Sequence, residues 1–302
     1  MKILITGSSG TIGTRLCERL LQTDHEIVCV DWEPNKWIKA IDERTLRIDL
    51  RDTKAMKQIP SDIDIIVHLA ANARVYELVV EPVRALDNFI TLFNMLEYAR
   101  QNSVKKFIFA SSRESYGNIE VEKLTEELAS VVNCESPYTA SKIGGEALVR
   151  SYERCYGIDM LIFRFSNVYG MYDDSVRVVP QFIRNARANK TLTVFGKEKC
   201  LDFTYIDDCV NGILLGIEKF EEAKNDVYNL AFGEGATLIH LAEKVIGLMG
   251  SSSKIDLQEP RTGEVIRYVA DIQKAKRVLG YNPQIPFDEG IEKSVEWYRE
   301  HS

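Results

Sequence analysis

The hydrophobic pattern of the first half of the chain changes repeatedly between short apolar runs and segments of helical period. The short runs predict strands at 2–6, 26–32, 46–50, 63–70 and 105–112, and a strand leaving through a loop at 158–170. Apolar residues that recur every three to four positions predict helices at 10–21, 83–101 and 136–157. Strands that alternate with helices are typical of βαβ units, so the pattern predicts an α/β fold with a doubly wound parallel sheet.

The regular alternation stops after about residue 170. The remaining pattern predicts helices at about 176–188, 207–219, 237–249, 271–279 and 287–300, with strand-like runs at 192–196, 203–206 and 227–231. We therefore expect residues 1–170 to form the main domain. Residues 171–302 are expected to form a smaller, interleaved α/β lobe, of which about 203–232 return to the main domain.

Charge and composition exclude several classes of function. The 302 residues carry 38 basic and 45 acidic side chains, a net charge of −7, so the chain lacks the broad positive field that nucleic-acid binding requires. No window approaches the ~18 consecutive apolar residues of a membrane span, and the N-terminus lacks a signal-peptide pattern. Six scattered cysteines and four isolated histidines argue against a metal site. A soluble, cytoplasmic protein with reduced thiols is expected.

A glycine-rich segment connects the first strand to the first helix. Residues 6–13 read TGSSGTIG, with Gly7, Gly10 and Gly13 in a GxxGxxG spacing. Small residues allow a tight turn and a close backbone approach, and the helix that begins near Thr11 and Ile12 directs its first N–H groups at a pyrophosphate. The alternative is a glycine-rich turn without a ligand, but a position between strand and helix favours a dinucleotide site.

An acidic residue follows the second strand, 18 residues after the last of these glycines. A carboxylate at Asp31 accepts hydrogen bonds from the adenosine ribose and repels a 2′-phosphate, and no arginine adjoins it in the sequence DWEPNK. This favours NAD over NADP, the alternative being a solvated acid at a strand end. Asp49 and Leu50, after the third strand, are weaker candidates for the adenine end of the site.

The helix at 136–157 carries a tyrosine and a lysine four residues apart. Tyr138 and Lys142 therefore share one helix face. A phenol with its ordinary pKa of ~10 is a poor base, but a nearby ammonium lowers that pKa and prepares the phenol to exchange a proton with a substrate hydroxyl. Ser112, at the end of the preceding strand, is placed to hydrogen-bond the same oxygen. The alternative, an exposed tyrosine beside a solvated lysine, is disfavoured by the glycine turn and Asp31.

Several segments together resemble the extended short-chain dehydrogenase/reductases, and within them the NAD-dependent nucleotide-sugar epimerase/dehydratase branch. They are TGSSGTIG (6–13), HLAA (68–71), ASSRESYG (110–117), YTASK (138–142), RFSNVYG (164–170), DFTYIDD (202–208) and PRTGE (260–264). The resemblance implies a Rossmann-type domain that binds NAD, with contacts that include Ala70, and a C-terminal lobe that binds a nucleotide-diphosphate sugar. By the same resemblance, the helices at 83–101 and 137–156 would pair in a homodimer, the alternative being that their apolar residues all face the sheet.

The resemblance also assigns roles to single residues. Tyr138 would remove the proton of the sugar 4-hydroxyl while NAD takes the hydride from the same carbon, Lys142 would hold the nicotinamide ribose, and Ser112 would assist. Three substrate residues follow by position: Asn167 and Arg261 for the diphosphate, and Phe195 for the base. One departure is Leu201, which stands where the family has a second phosphate-binding arginine.

A second departure is the tripeptide Ser112–Arg113–Glu114. The pattern of the sugar 4,6-dehydratases at this position is Thr–Asp–Glu, in which the aspartate is the acid and the glutamate is the base that removes the C5 proton. In this chain Arg113 replaces the acid and is expected to contact substrate. Glu114 is either a base or a carboxylate that pairs with Arg113 and orients the sugar.

These residues favour an NAD-dependent 4-epimerase of a UDP-hexose or a UDP-N-acetylhexosamine that passes through a 4-keto sugar. The alternative is a UDP-sugar dehydratase or a UDP-glucuronate decarboxylase that uses Glu114 after the same oxidation. A non-catalytic NAD-binding protein is a third possibility, disfavoured because Tyr138 and Lys142 are both present.

Overall fold

A computed structural model describes residues 1–301. The strands are β1 Lys2–Thr6, β2 Glu26–Asp31, β3 Thr45–Arg47, β4 Ile65–His68, β5 Lys106–Ser112, β6 Asp159–Phe165, β7 Asn167–Tyr169, β8 Leu192–Phe195, β9 Cys200–Tyr205, β10 Asp226–Leu230, β11 Gly235–Thr237, β12 Ile255–Gln258 and β13 Arg267–Tyr268. The helices are α1 Thr11–Leu20, α2 Lys39–Asp42, α3 Val75–Val80, α4 Val83–Gln101, α5 Pro137–Tyr156, α6 Val178–Arg187, α7 Ile206–Glu218, α8 Phe220–Ala223, α9 Leu238–Met249, α10 Gln273–Leu279 and α11 Phe287–His301.

The main sheet has seven parallel strands in the order β10–β6–β5–β4–β1–β2–β3. This confirms the predicted doubly wound α/β fold. The order reverses between β1 and β4, which are neighbours in the sheet but separated in sequence by β2 and β3. One of the two edge strands, β10, comes from the second half of the chain and pairs with β6. In open sheets of this kind, ligands bind at the carboxyl ends of the strands where the order reverses.

The sheet is buried on both faces, which explains why its strands are continuous apolar runs. Ile3 and Ile5 of β1 pack on one side, in the same cluster as Leu16 of α1. Leu4 packs on the other side, in the same cluster as Met95 of α4. Because successive side chains of a strand point to opposite faces, a strand covered by helices on both sides has no polar face to alternate with.

The smaller lobe is built around β9. This strand pairs in parallel with β7 and β13 and antiparallel with β11, while β8 and β12 form a separate parallel pair. The segment 158–170 therefore serves two sheets, since β6 belongs to the main sheet and β7 to the smaller one. The chain changes sheet at Ser166, whose hydroxyl lies 2.5 Å from that of Thr204. The polar residues Ser166 and Asn167 follow Phe165 at this point, where the pattern predicted that the strand leaves through a loop.

Local sequence places the main reactive segments at one edge of the sheet. Helix α5 begins where the hydroxyl of Ser136 accepts a hydrogen bond from the Thr139 amide at 3.1 Å, with Pro137 as its first residue. Strand β5 ends at Ser112, whose hydroxyl accepts a hydrogen bond from the Glu114 amide at 3.2 Å and starts a short 3₁₀ turn. The start of α5 and the end of β5 consequently meet at the carboxyl edge.

Candidate active site

A single cavity of about 1140 Å³ opens along the carboxyl edge of the main sheet and continues into the smaller lobe. It exceeds the ~300–1,000 Å³ of ordinary small-molecule pockets, which suits two ligands side by side. All but one of the predicted site residues line it: Gly7, Gly10, Thr11, Ile12, Gly13, Asp31, Asp49, Leu50, Ala70, Ser112, Arg113, Glu114, Tyr138, Asn167, Phe195 and Arg261. Lys142 is the exception and lies behind the wall.

The glycine segment forms a cradle that side chains would fill. Gly7 has a φ of +73°, and a Cβ on Gly13 would lie 2.0 Å from the Gly7 carbonyl oxygen. Gly10 caps α1 without a side-chain hydrogen bond, so the first N–H groups of the helix have no side-chain partner there. Exposed amides at a helix N-terminus bind phosphate oxygens, and this backbone fits the pyrophosphate of a dinucleotide.

Asp31 lies beside this cradle at the end of β2. One oxygen of its carboxylate accepts a hydrogen bond from the Ser9 amide and the other from the Glu33 amide, both at 2.9 Å. Burial raises the pKa of Asp31, and these amide bonds act in the opposite direction. The carboxylate thus fixes the turn around the cradle and also faces the cavity, as a ribose-binding acid requires.

The far end of the cavity contains an arginine that local sequence did not reveal. Arg51 donates to both oxygens of Asp49, at 2.7 Å from Nη2 to Oδ2 and 3.0 Å from Nε to Oδ1, and lowers the pKa of that carboxyl. Its guanidinium also lies 5.0 Å from the centroid of the Trp32 ring. Both residues line the cavity, and the planar surface they offer is of a kind on which an adenine can stack.

Tyr138 and Ser112 lie together on the cavity wall. Tyr138 is buried at the start of α5, and the neighbouring Ser112 hydroxyl acts to lower the pKa of its phenol. The Lys142 ammonium lies 5.7 Å from the centre of the tyrosine ring and donates to the Ala110 carbonyl at 2.8 Å. The tyrosine and serine are thus adjacent, whereas the lysine stands behind them and is held by β5.

The expected effect of Lys142 on the phenol is not the dominant one. Burial raises the pKa of Tyr138, and the positive charges that partly offset this are those of Arg177 and Arg113. Burial also lowers the pKa of Lys142 to about 8, so the ammonium is itself destabilised in this environment. Both groups are desolvated because the start of α5 is packed against β5, a tertiary contact that the YxxxK spacing does not encode.

Arg113 and Glu114 extend from the 3₁₀ turn into the same cavity. Both are buried, and Arg113 Nη2 lies 2.7 Å from Glu114 Oε1. Burial raises the pKa of Glu114, while the charges of Arg113 and Lys199 lower it. Within residues 1–301, neither carboxylate oxygen has a well-oriented hydrogen-bond donor, and Arg113 Nη1 has no acceptor.

Besides Arg113, the three other residues predicted to bind substrate also line the cavity, and two of them contact each other. The Arg261 guanidinium lies 3.8 Å from the centroid of Phe195 and 5.0 Å from that of Tyr76. Asn167 accepts a hydrogen bond from Arg113 Nε at 3.2 Å and donates to the Asp202 carbonyl at 3.3 Å. The amide of Asn167 therefore holds Arg113 in place.

Lys199 was not identified from the sequence. It is buried on the cavity wall immediately before β9, with its ammonium 2.6 Å from Glu264 Oε2. Burial lowers the pKa of Lys199, and Glu264 partly restores it. Its position two residues before Leu201 was the available signal, since side chains two apart on an extended chain point to the same side.

The part of the chain that the structure describes contains neither a cluster that could bind a metal ion nor a helix that could span a membrane. No group of three or more histidine, cysteine, aspartate or glutamate side chains is arranged to hold a metal ion there. The same residues include no helix that is long and apolar enough to cross a membrane.

Comparison with known proteins matches the chain to one family along most of its length. Residues 3–231 match the model of the NAD dependent epimerase/dehydratase family. A UDP-glucuronate 4-epimerase from Thermodesulfobacterium geofontis is 30% identical over 99% of this chain and 96% of its own. A dTDP-glucose 4,6-dehydratase from Streptomyces antibioticus is 28% identical over 100% and 93%. The crystal structure of a UDP-glucose 4-epimerase from Thermotoga maritima, with UDP-glucose, superposes with a TM-score of 0.91 at 30% identity, covering 100% of this chain and 99% of that one.

Proposed function

The chain belongs to the NAD-dependent epimerase/dehydratase family, and on that premise we propose that it is a nucleotide-sugar 4-epimerase acting on a UDP-hexose or a UDP-N-acetylhexosamine. Membership confirms the resemblance drawn from the sequence, and NAD is the cofactor of the family. One observation carries the proposal: Tyr138 and Ser112 face the same cavity as the glycine cradle. A sugar hydroxyl at the tyrosine would therefore lie next to a dinucleotide.

The cofactor end is assigned by what its residues can bind. The N–H groups at Thr11 and Ile12 would hold the pyrophosphate, with the Gly10 amide bonded to the Gly7 carbonyl at 3.1 Å, and Asp31 would hold the adenosine ribose. Asp49 and Leu50 would lie beside the adenine, with Gly7, Gly13 and Ala70 allowing the backbone to approach. When bound, NAD accepts a hydride from the sugar carbon and later returns it.

The protein's own groups manage the proton. In the proposed reaction Tyr138 takes the proton of the 4-hydroxyl and returns it after the 4-keto sugar has rotated to present its other face. The Ser112 hydroxyl orients the reacting oxygen by a hydrogen bond. The positive charges of Arg177 and Arg113 would favour the ionised form of the phenol, with the Lys142 ammonium 5.7 Å from the centre of its ring. Asn167, Phe195 and Arg261 would position the nucleotide diphosphate, with Arg113 near the sugar.

Glu114 supports a second candidate function. Its carboxylate is buried in the same cavity without a well-oriented donor, so it is available to remove the C5 proton of a 4-keto sugar. That step leads to a UDP-sugar dehydratase, and a decarboxylase of UDP-glucuronate would begin with the same oxidation. The proposal favours epimerisation because Arg113 replaces the acid that would protonate the leaving hydroxyl of a dehydratase.

Proton NMR in heavy water separates these reactions. The purified protein with NAD is incubated with UDP-glucose, UDP-N-acetylglucosamine and UDP-glucuronate. A 4-epimer that keeps its C5 proton is the expected product. Deuterium at C5, a dehydrated sugar or loss of carbon dioxide would overturn the epimerase in favour of the second candidate.

Two tyrosine variants test whether the chemistry is at Tyr138. Tyr138→Phe should lower kcat by roughly 10²–10⁴-fold, the usual contribution of a positioned acid–base group, with NAD binding retained. Tyr152→Phe is the matched control, because Tyr152 lies on the same helix with its hydroxyl bonded to Glu97 at 2.7 Å. Equal activity of the two variants would contradict the assignment.

We also propose that the protein is a homodimer in the cytoplasm, paired through α4 and α5. Val83, Leu86 and Phe93 on α4 are exposed apolar side chains, which a partner helix would cover. Light scattering after size-exclusion chromatography should give twice the chain mass, and Leu86→Lys should give the monomer mass. A monomeric wild-type protein would refute this assembly.

A further inference from the structure

The cavity wall next to the sugar end contains two cations with unused hydrogen-bond donors. Arg113 donates a hydrogen bond from Nε to Asn167, and its Nη2 is paired with Glu114. Its Nη1 has no partner within the described chain, although Arg113 is only 8% exposed. Lys199 is 5% exposed and contacts Glu264 with one of its three N–H groups. A buried donor without an acceptor is costly unless a ligand supplies one.

The position of Lys199 relates directly to a residue that the chain lacks. Leu201 stands where the family has a second phosphate-binding arginine, and it is buried in β9 with its side chain on the cavity wall. Lys199 precedes it by two residues and lines the same wall. A lysine two residues before Leu201 thus brings a cation to the same cavity wall.

The acidic neighbours do not cancel this site. Glu264 and Glu114 each contact one cation, at 2.6 and 2.7 Å, and so hold the two side chains in fixed positions. Arg113 and Lys199 keep the remaining donors available, because a guanidinium has five N–H groups and an ammonium has three. Pre-positioned, desolvated donors bind an anionic oxygen more strongly than mobile surface lysines do.

We propose that Arg113 and Lys199 form an anion subsite of the substrate, which binds anionic oxygens near the sugar. The inference rests on the proposed function, since it assigns part of the same cavity. Two sources supply such oxygens: the sugar-linked phosphate of the nucleotide diphosphate, and a carboxylate on the sugar. The two sources can be distinguished because every UDP-sugar carries the phosphate, whereas only a UDP-hexuronate carries the carboxylate.

Isothermal titration calorimetry of the NAD-loaded protein tests the subsite with UMP, UDP, UDP-glucose and UDP-glucuronate. Lys199→Met should weaken the affected ligand at least about tenfold, the effect of losing a charge-assisted hydrogen bond. If the variant binds UDP more weakly but UMP with unchanged affinity, the subsite binds the sugar-linked phosphate. If it binds UDP-glucuronate more weakly but UDP and UDP-glucose with unchanged affinity, the subsite binds the sugar carboxylate. Unchanged affinity for all four ligands would overturn the proposal.

Control variants separate binding from folding. Lys197→Met removes an exposed lysine two residues away and should change no affinity by more than about twofold. Lys199→Met/Glu264→Gln avoids an unpaired buried carboxylate and should repeat the loss with an unchanged thermal transition. Lys199→Met/Leu201→Arg should recover UDP binding if the phosphate is the ligand. A wild-type protein that binds neither UDP nor dTDP would instead refute the proposed function, and the subsite with it.

Discussion

Two arginine–glutamate pairs are buried near the carboxyl edge of the main sheet, one completely hydrogen-bonded and the other not. In the first pair, Arg164 of β6 donates to both oxygens of Glu146 on α5, at 2.9 and 2.7 Å. Its Nη1 donates to the Tyr116 hydroxyl at 3.1 Å and to the Glu126 carbonyl at 2.6 Å. Ser111 adds a further donor to Glu146 at 2.5 Å. These bonds tie β5, β6 and α5 together.

The second pair, Arg113 and Glu114, has the same composition and similar burial but fewer partners. One contact of 2.7 Å joins the two charges, and Asn167 accepts from Arg113 Nε. Arg113 Nη1 and both Glu114 oxygens lack well-oriented partners among residues 1–301. Only this pair lines the cavity; neither Arg164 nor Glu146 belongs to its wall.

The difference in hydrogen bonding indicates a structural role for the first pair and a binding role for the second. A buried ion pair is favourable only when its remaining donors and acceptors are satisfied, and the Arg164–Glu146 pair meets that condition within the fold. The Arg113–Glu114 pair does not, so its unused groups are the ones available to a ligand. Completeness of hydrogen bonding therefore distinguishes a structural pair from a candidate binding pair where charge and burial do not.

The largest effect is expected from Arg164→Met. It leaves Glu146 as a buried charge without its partner and should lower the free energy of unfolding by about 3–5 kcal/mol. Urea unfolding followed by circular dichroism measures this, with Arg154→Met, at an exposed position of α5, the helix that carries Glu146, as the control. A loss below about 1 kcal/mol would show that a fully hydrogen-bonded pair is not structural here.

The double variant Arg113→Met/Glu114→Gln should lose activity rather than stability. Because few bonds are lost, its free energy of unfolding should stay within about 1 kcal/mol of the wild-type value. Its kcat/KM should fall roughly 10–100-fold, since substrate loses a charge-assisted hydrogen bond. A large loss of stability with unchanged kcat/KM would make this pair structural and remove the contrast.

A smaller effect separates two neighbouring tyrosines, whose ring centroids lie 5.8 Å apart. The Tyr116 hydroxyl donates to Asn229 at 2.6 Å and accepts from Arg164, so Tyr116→Phe should cost about 1–2 kcal/mol in urea unfolding. The buried Tyr268 hydroxyl has no partner within the described residues. Tyr268→Phe should therefore leave stability unchanged or raise it slightly. Equal losses would mean that hydrogen bonding does not decide these contributions.

The sequence predicts the backbone-made end of the cavity better than the end made of side chains. Gly7, Gly10 and Gly13 are recognisable because only a local turn and the start of a helix are needed to form their cradle. Likewise, Tyr138 and Lys142 share a face through helix geometry alone. These features are set by residues within one or two turns of each other, so their spacing is sufficient.

The side-chain end depends on contacts between distant segments. Lys199 meets Glu264, 65 residues away, and Arg51 reaches Asp87, 36 residues away. Neither pair has a local pattern, and the burial that raises the pKa of Tyr138 also comes from tertiary packing. Such contacts follow from the sheet order, which the alternation of strands and helices restricts to a class but does not specify.

The smallest expected effect is a change in how the free energy of unfolding depends on pH. Since burial raises the pKa of Glu114 in the folded protein, its contribution to stability is complete below the ordinary pKa near 4.5 and is lost as pH rises through the folded value. Glu114→Gln removes that loss. The stability of the variant relative to wild type should therefore increase between pH 5 and pH 8, measured by urea unfolding, whereas Glu120→Gln, at an exposed position nearby, should show no such increase. A difference that is constant with pH would mean that Arg113 and Lys199 already keep Glu114 ionised, and the second pair would then be as well compensated as the first.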